Sequence, residues 1–290
     1  MRIYIPSDSS QSLGGGFSFR ANLGKAMTGL GHIVVNNISE AEIALIASTT
    51  MVTKETIAEI KGQGLKLIVR LDNVPRNSRN RNTGTSRLKS FSDQADEIVW
   101  QCQWSKDYLI DFIGKEGRII YNAVDSNIFS PDGPSHSFGD RENVYLYSRY
   151  NRDETKNWEV AWYDFQLIFR NNPKAKLILV GQFSPEQVEY NFDFFRGEQI
   201  EYLGVIDSPE EMAKVYRGCG HLLAVYFNDC FSNTYLEALL CGMKLDEVNM
   251  SGGTPEMLEL FAKHGPDYFG LKRMAKEYER LFMEVLGKDE

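Results

Sequence analysis

The chain has 290 residues, 42% of them hydrophobic and 25% charged, which is ordinary for a globular protein and enough for two domains. Its formal net charge of −8 argues against a general nucleic-acid-binding role. The four cysteines include no Cys-x-x-Cys pair, which disfavours a zinc or redox site, and no apolar run approaches the roughly 18 residues of a membrane span. We expect a reduced cytoplasmic protein without a signal peptide or transmembrane segment, and peripheral membrane contact stays open.

Short apolar runs alternate with amphipathic segments along the first half of the chain, the pattern of an α/β protein with a parallel sheet. The predicted strands are Arg2–Ile5, Ile33–Val35, Ile43–Ile46, Leu65–Val69, Glu97–Trp100 and Ile119–Tyr121. The predicted helices are Phe17–Leu30, Lys54–Lys61 and Ser105–Ile113. The first strand, helix and second strand therefore form a βαβ unit.

Three glycines, Gly14–Gly16, end the polar loop after the first predicted strand. They lie too far beyond Ile5 for a dinucleotide-binding turn, and the sequence contains no G-x-G-x-x-G. Two interpretations stay open for this loop. It is a flexible connection, or Gly15 and Gly16 let the backbone approach a phosphate or sugar closely.

Polar and basic residues follow the fourth predicted strand, at the sheet edge where open α/β proteins place ligands. Asp72 is a candidate acceptor-side residue, with a turn or cap as the alternative. Between Asn73 and Ser92 there is no acidic residue, but there are five basic ones: Arg76, Arg79, Arg81, Arg87 and Lys89. In an acidic protein this local excess of positive charge predicts attraction for a phosphate-bearing acceptor or for the pyrophosphate of a donor. Arg76 is the candidate acceptor-side residue in this stretch. A solvated loop is the alternative.

The second half repeats the α/β pattern after a Pro- and Gly-containing linker near Pro131–Pro134. Its predicted strands are Val144–Tyr147, Lys176–Gly181, Ile200–Gly204, Leu222–Val225 and a polar one near Met243–Val248. Its predicted helices are Trp158–Arg170, Glu210–Tyr216, Thr234–Cys241 and terminal helices within Pro266–Leu286.

Two cations frame the first strand–helix connection of this second half. Arg149 follows the strand, and Lys156 precedes the helix. Arginine as a bidentate fork and lysine as a point charge suit a diphosphate, with Arg152 competing for the arginine role. Gly181 ends the next strand, as expected where a nucleotide lies over the strand ends.

The segment from Leu222 to Gly242 predicts a strand, a loop and a helix. Asp229 lies in the loop and Glu237 inside the helix, with seven residues between them. The start of a helix offers backbone N–H groups to an anion, and the two carboxylates could hold hydroxyls of a sugar or ribose. Solvated acidic residues are the alternative. Ser232 or Asn233 is the predicted N-cap, and the candidate donor-binding residues at this helix start are Phe231, Ser232, Asn233 and Thr234.

Asp229-x7-Glu237 followed by Ala238 and Gly242 resembles the E-x7-E motif of retaining GT-B glycosyltransferases, in particular those of family 4. Phe231 matches that motif too, whereas Asp229 replaces its first Glu and Cys230 replaces a Gly. Other segments follow in the order of the family: Gly14–Gly16, Gly31-His32, Tyr121–Phe129 with Ala123 in place of Gly, Ser148–Asn157 and Ser251–Glu256. The resemblance covers nearly the whole chain.

The resemblance implies a GT-B architecture, an α/β fold with two Rossmann-like, doubly wound domains facing a central cleft. The expected divisions are residues 1–130 as the acceptor domain, 131–265 as the nucleotide-sugar domain, and 266–290 as terminal helices that pack back on the first domain.

For function, the resemblance implies a retaining glycosyltransferase of the hexosyl type, which needs no metal and no cofactor besides its donor. That donor is a nucleotide sugar, UDP- or GDP-linked, and the acceptor a carbohydrate, a lipid-linked sugar or a small molecule. In this scheme Arg149 and Lys156 hold the diphosphate, Asp229 the sugar hydroxyls and Glu237 the ribose. The absence of a D-x-D motif disfavours a metal-dependent design. An epimerase-like sugar-nucleotide enzyme and a catalytically inactive GT-B binding module stay open as alternatives.

Overall fold

The computed structural model describes residues 1–8, 14–74, 84–150, 154–182, 199–246 and 251–288. By their internal contacts the residues divide into two compact units. Unit 1 is Met1–Asp125 with Gly252–Glu290, and unit 2 is Ser126–Ser251. The sequence-based limits at 130/131 and 265/266 stay predictions of the domain borders. None of the helices in these ranges is long and apolar enough to span a membrane.

Strands and helices alternate throughout the described ranges. The strands are β1 Arg2–Tyr4, β2 Ile33–Val35, β3 Ile43–Ile46, β4 Lys66–Leu71, β5 Glu97–Trp100, β6 Arg118–Ile119, β7 Val144–Tyr150, β8 Lys176–Gly181, β9 Ile200–Tyr202, β10 His221–Leu223 and β11 Lys244–Asp246. The helices are α1 Gly15–Gly29, α2 Lys54–Gly62, α3 Gly84–Gln94, α4 Gln103–Ile113, α5 Trp158–Asn171, α6 Pro209–Gly218, α7 Asn233–Leu240, α8 Thr254–His264 and α9 Leu271–Val285.

Unit 1 is built on a parallel sheet with the strand order β2-β1-β3-β4-β5-β6. Every residue of β3 is buried, as expected for a parallel strand that is covered on both faces. Helix α1 turns Phe19, Leu23 and Met27 into the core, where they join residues of the last helix, α9: Met274, Ala275, Tyr278, Leu281 and Phe282. The final helix is therefore part of the core of unit 1.

Unit 2 is built on a parallel sheet with the strand order β11-β10-β7-β8-β9. The chain runs outward from β7 to β9 and then returns to place β10 on the other side of β7. The order therefore reverses between β7 and β10, and open α/β sheets bind ligands in the crevice at such a point. The predicted α/β class with two parallel Rossmann-like sheets is confirmed.

Helix α3 was not predicted, and the basic stretch that contains it is not all loop. Residues Gly84–Gln94 form this helix, and its Leu88 and Phe91 side chains are buried. Arg87 belongs to this helix: its Nε donates to the carbonyl oxygen of Thr49 at 2.7 Å, and its guanidinium lies over the Phe91 ring. Arg87 therefore lies in a helix and not in a loop, and the phosphate attraction predicted for the basic stretch stays a prediction. Arg76, Arg79 and Arg81 lie outside the described residues.

Many element ends lie one to three residues from their predicted positions, and one further helix was not predicted. Helix α1 begins at Gly15 rather than Phe17, so Gly15 and Gly16 are in its first turn and not in a loop. Helix α4 begins at Gln103, because Cys102 is its N-cap and Ser105 completes the capping box instead of starting the helix. Helix α8, which starts within the Ser251–Glu256 motif, was missed although Pro255 in its first turn favours a helix start.

Candidate functional site

The candidate site lies in unit 2, at the switch point between β7 and β10. After β7 the chain forms a 3-10 helix, Glu154–Lys156, and after β10 it forms the loop that leads to α7. Two hydrogen bonds join these connections: the N–H of Phe227 donates to the Thr155 carbonyl at 2.7 Å, and Asn157 Nδ2 donates to the Val225 carbonyl at 2.7 Å. Residues from two separate strand ends are thereby held next to each other.

Lys156 and Asp229, both predicted from the sequence, meet at this point. Lys156 Nζ donates to Asp229 Oδ2 at 2.9 Å, and the two side chains are only 16% and 22% exposed. The ammonium also lies 3.9 Å from the centroid of the Tyr226 ring. A half-buried ion pair is screened less by salt than a surface pair, so this is a region of concentrated charge within reach of solvent.

Tyrosines that sequence reasoning missed surround Lys156. Tyr226 is 2% exposed, its N–H donates to the Tyr235 hydroxyl at 2.6 Å, and its own hydroxyl donates to the Ser148 carbonyl. The Tyr147 hydroxyl donates to the Lys156 carbonyl at 2.9 Å. Burial raises the pKa of Tyr235, which keeps its hydroxyl neutral. The one signal in the sequence was the position of Tyr226 directly after the apolar run that predicts β10.

Two asparagines adopt left-handed backbone conformations beside the ion pair. Asn157 has φ 52° and Asn228 has φ 49°. Asparagine tolerates this region better than most residues, since its short amide bonds locally. The N–H of Asn228 donates to Ser251 Oγ at 2.8 Å. The chain therefore turns sharply directly after Lys156 and directly before Asp229.

Helix α7 begins beside Asp229, and Ser232 rather than Asn233 is its N-cap, with Oγ accepting from the N–H of Tyr235. Phe231, Ser232 and Thr234 are buried, and Asn233 is half-buried. An N-terminus carries the positive end of the helix dipole, so the helix adds to the positive charge of Lys156.

Glu237 lies in different surroundings from Asp229. It is 5% exposed, and its Oε2 accepts from the Tyr216 hydroxyl of α6 at 3.0 Å. The second carboxylate of the motif is thus held between two helices. Its predicted contact with ribose stays a prediction.

The remaining predicted residues of unit 2 lie at the same edge of the sheet. Arg149 is in β7, at the shift of register between Ser148 and Tyr150, and its side chain falls outside the described part of the chain, as does Arg152. Gly181 ends β8 with φ 137°, a conformation that favours glycine, and its N–H donates to the Gly204 carbonyl at 2.9 Å.

The other predicted residues belong to unit 1. A Cβ atom on Gly16 would lie 2.8 Å from Met51 Sδ, whereas one on Gly15 would meet nothing within 4 Å. Asp72 has its Oδ2 3.9 Å from Nη1 of Arg70, a residue that the sequence analysis had not singled out. Arg70 is 1% exposed, and its guanidinium lies 3.9 Å over the Phe19 ring. Arg76 lies outside the described residues, and the functional roles of all these residues stay predictions.

No protein-family model matches the sequence, and a search of curated proteins finds no match. Solved structures do match. HepE of Anabaena, solved with UDP, has a TM-score of 0.73 at 13% identity, covering 98% of this chain and 100% of its own. Sucrose-phosphate synthase of Thermosynechococcus elongatus has a TM-score of 0.69 at 13% identity, covering 99% of both chains.

A third similar structure, from Listeria monocytogenes, is assigned as a UDP-N-acetylglucosamine 2-epimerase. It has a TM-score of 0.61 at 13% identity, covering 98% of this chain and 89% of its own. At these identities the likeness establishes the fold: the chain has the GT-B fold, with two Rossmann-like units.

Proposed function

We propose that the chain is a retaining glycosyltransferase, which transfers a sugar from a nucleotide sugar to an acceptor without a metal ion. The observation that carries the proposal is the Lys156–Asp229 pair at the switch point of unit 2. A cation, a carboxylate and a helix start meet there, at the sheet edge where this class of fold binds ligands. The GT-B fold, and the likeness to HepE solved with UDP, support a nucleotide-sugar donor.

The proposed reaction requires positive charge near the leaving group. When the bond between the anomeric carbon and the phosphate oxygen breaks, negative charge develops on the nucleoside diphosphate. Lys156 and the N-terminus of α7 stabilise that charge, and Arg149 is the proposed second cation. The acceptor hydroxyl attacks the anomeric carbon from the face that the diphosphate leaves, and its proton passes to the leaving phosphate oxygen. The new bond therefore keeps the anomeric configuration.

The two carboxylates have separate roles in this scheme. Asp229 accepts hydrogen bonds from donor-sugar hydroxyls, and the Lys156 ammonium turns from Asp229 to the phosphate when the donor binds. Glu237 accepts from the ribose hydroxyls, with its carboxylate oriented by Tyr216. The proposed donor contacts in unit 2 also include Gly181 and the start of α7, and the donor-binding role of Gly15 and Gly16 stays a prediction. Asp72 and Arg76 are proposed on the acceptor side.

The donor is proposed to be UDP- or GDP-linked, and the acceptor a carbohydrate, a lipid-linked sugar or a small molecule. A lipid-linked acceptor would bring the protein to a membrane surface. The net charge of −8 supports a partner other than nucleic acid.

Product analysis tests the proposal. The protein is incubated with UDP-, GDP-, ADP- and dTDP-sugars and a panel of sugar acceptors, with and without a chelator, and the products are followed by proton NMR. We expect release of one nucleoside diphosphate, a glycosylated product with the anomeric configuration of the donor, and no effect of the chelator. Lys156→Ala should slow the release about 100- to 1,000-fold, because loss of one such donor to the transition state costs about 2.7–4 kcal/mol. An inverted product would contradict retention.

An epimerase-like activity is the second candidate, favoured by the likeness to the Listeria structure. The same NMR experiment separates the two. Conversion of the donor sugar into its epimer with no acceptor present would support epimerisation. Binding of a donor with neither reaction, across the whole panel, would support a binding module.

A further inference from the structure

We propose that Tyr226 is a positioning residue, whose ring face holds the Lys156 ammonium where the donor diphosphate will bind. The inference rests on the function proposed above, since it assigns the lysine to the diphosphate. Tyr226 does not belong to the Asp229–Glu237 motif, and it is neither of the two predicted cations.

The first observation is the contact itself. Lys156 Nζ lies 3.9 Å from the centroid of the Tyr226 ring, within the distance of a cation–π interaction. Such an interaction strengthens when the partners are removed from water. Tyr226 is 2% exposed and the Lys156 side chain 16% exposed, so this contact is largely desolvated.

The second observation is that the ring is fixed by its hydroxyl and by its neighbouring rings. Its hydroxyl donates to the Ser148 carbonyl in β7, and its face stacks on Tyr235 of α7 with 4.8 Å between the ring centroids. The ring of Tyr147 packs edge-on against it at 6.5 Å, while the Tyr147 hydroxyl holds the Lys156 carbonyl. The lysine is thereby anchored at its backbone and at its ammonium by neighbouring tyrosines.

A ring and a carboxylate hold a lysine in different ways. Asp229 carries a negative charge and must give up the ammonium when a phosphate arrives. The ring is neutral, so it attracts the cation without competing for the phosphate, and it can remain in contact after the exchange. A lysine side chain carries much rotamer entropy, and restricting it beforehand lowers the entropic cost of binding.

The test compares four variants in calorimetric titrations with nucleoside diphosphates and the matching nucleosides. Tyr226→Phe keeps the ring, Tyr226→Leu and Tyr226→Met remove it, and Lys156→Ala removes the cation. We expect Tyr226→Phe to bind the diphosphate within about twofold of the wild type, and the ring-free variants to bind it about tenfold more weakly. Nucleoside affinity should not change.

The decisive readout is the double mutant. In the Lys156→Ala background, Tyr226→Leu should cause no further loss of diphosphate affinity, since the ring acts only through the lysine. A purely structural tyrosine would cause the same loss with or without the lysine, and that result overturns the inference. So does wild-type affinity in the ring-free variants, or a tenfold loss in Tyr226→Phe. If no diphosphate binds the wild type, or Lys156→Ala binds it normally, the proposed function itself fails.

Discussion

The Tyr216 hydroxyl donates to the buried carboxylate of Glu237 at 3.0 Å, whereas Asp229, the other acidic residue of the same motif, is paired with Lys156. One carboxylate is therefore fixed by a neutral hydroxyl between two helices. The other faces a cation at a half-buried position. We infer that Asp229 is the carboxylate that changes partners when a ligand binds, and that Glu237 stays in place.

Tyr216→Phe should lower the free energy of unfolding by about 1.5–3 kcal/mol, the usual contribution of a hydrogen bond to a charged group. Glu237 would remain buried and lose one donor. Urea denaturation measures the change. Tyr163→Phe is the matched control, because Tyr163 is 60% exposed on α5 and its change should stay within about 0.5 kcal/mol. Equal effects of the two substitutions would show that the bond to Glu237 does not stabilise the fold.

Gly16→Ala and Gly15→Ala form a second matched pair, in the first turn of α1. A methyl group on Gly16 would lie 2.8 Å from Met51 Sδ and 3.0 Å from Ser48 Cβ, so we expect a loss of about 1–3 kcal/mol from overpacking. A methyl group on Gly15 meets open space, and alanine favours a helix over glycine by up to about 1 kcal/mol. Thermal melting should therefore move in opposite directions. A shift of the same sign in both would contradict the packing at Gly16.

Glu256→Ala should destabilise unit 1 by about 2 kcal/mol, because three donors lose their charged acceptor. The Glu256 carboxylate accepts from the N–H groups of Gln103 and Trp104, at 3.0 and 3.2 Å, and from the Tyr121 hydroxyl at 2.6 Å. It thereby stabilises the N-terminus of α4. Glu259→Ala, at an exposed position of the same helix, is the control for urea denaturation. If both variants unfold alike, Glu256 does not have this role.

Asp96 should make stability depend on acid pH. Burial alone would raise the pKa of its carboxyl, but the Leu67 N–H at 2.8 Å and the nearby ammonium groups of Lys66 and Lys61 hold this pKa below its ordinary value. A carboxyl with a lowered pKa in the folded state stabilises the fold above its unfolded pKa of about 3.9, and the contribution disappears as pH falls through the folded pKa. The wild type should therefore have a larger free energy of unfolding than Asp96→Asn near neutral pH, and this difference should shrink as pH falls below about 4. A difference in the free energy of unfolding that does not change with pH would contradict the lowered pKa of Asp96.

The sequence predicted the fold better than it predicted the site. Apolar runs of strand length, separated by amphipathic helices, were enough for both parallel sheets, and a strand-end lysine and a loop aspartate were enough to propose Lys156 and Asp229. Helix α3 was missed because the sequence of Gly84–Gln94 is mostly polar and basic, and only Leu88 and Phe91 indicate its buried face. Arg87 was placed in a loop for the same reason. The tyrosines around Lys156 could not be predicted, since their contacts join two segments that are far apart in sequence: Tyr226 bonds Ser148, 78 residues before it.

The most direct test of the central claim is a thermal-shift titration of wild-type protein and Lys156→Ala with UDP, GDP, ADP and dTDP, without added metal. We predict that one nucleotide at 100 times its dissociation constant stabilises the wild type by about 2.7 kcal/mol. The same concentration should leave Lys156→Ala almost unchanged, while Lys174→Ala, at an exposed position of unit 2, should respond like the wild type. No shift with any nucleotide, or an equal shift in wild type and Lys156→Ala, would contradict a diphosphate site at Lys156.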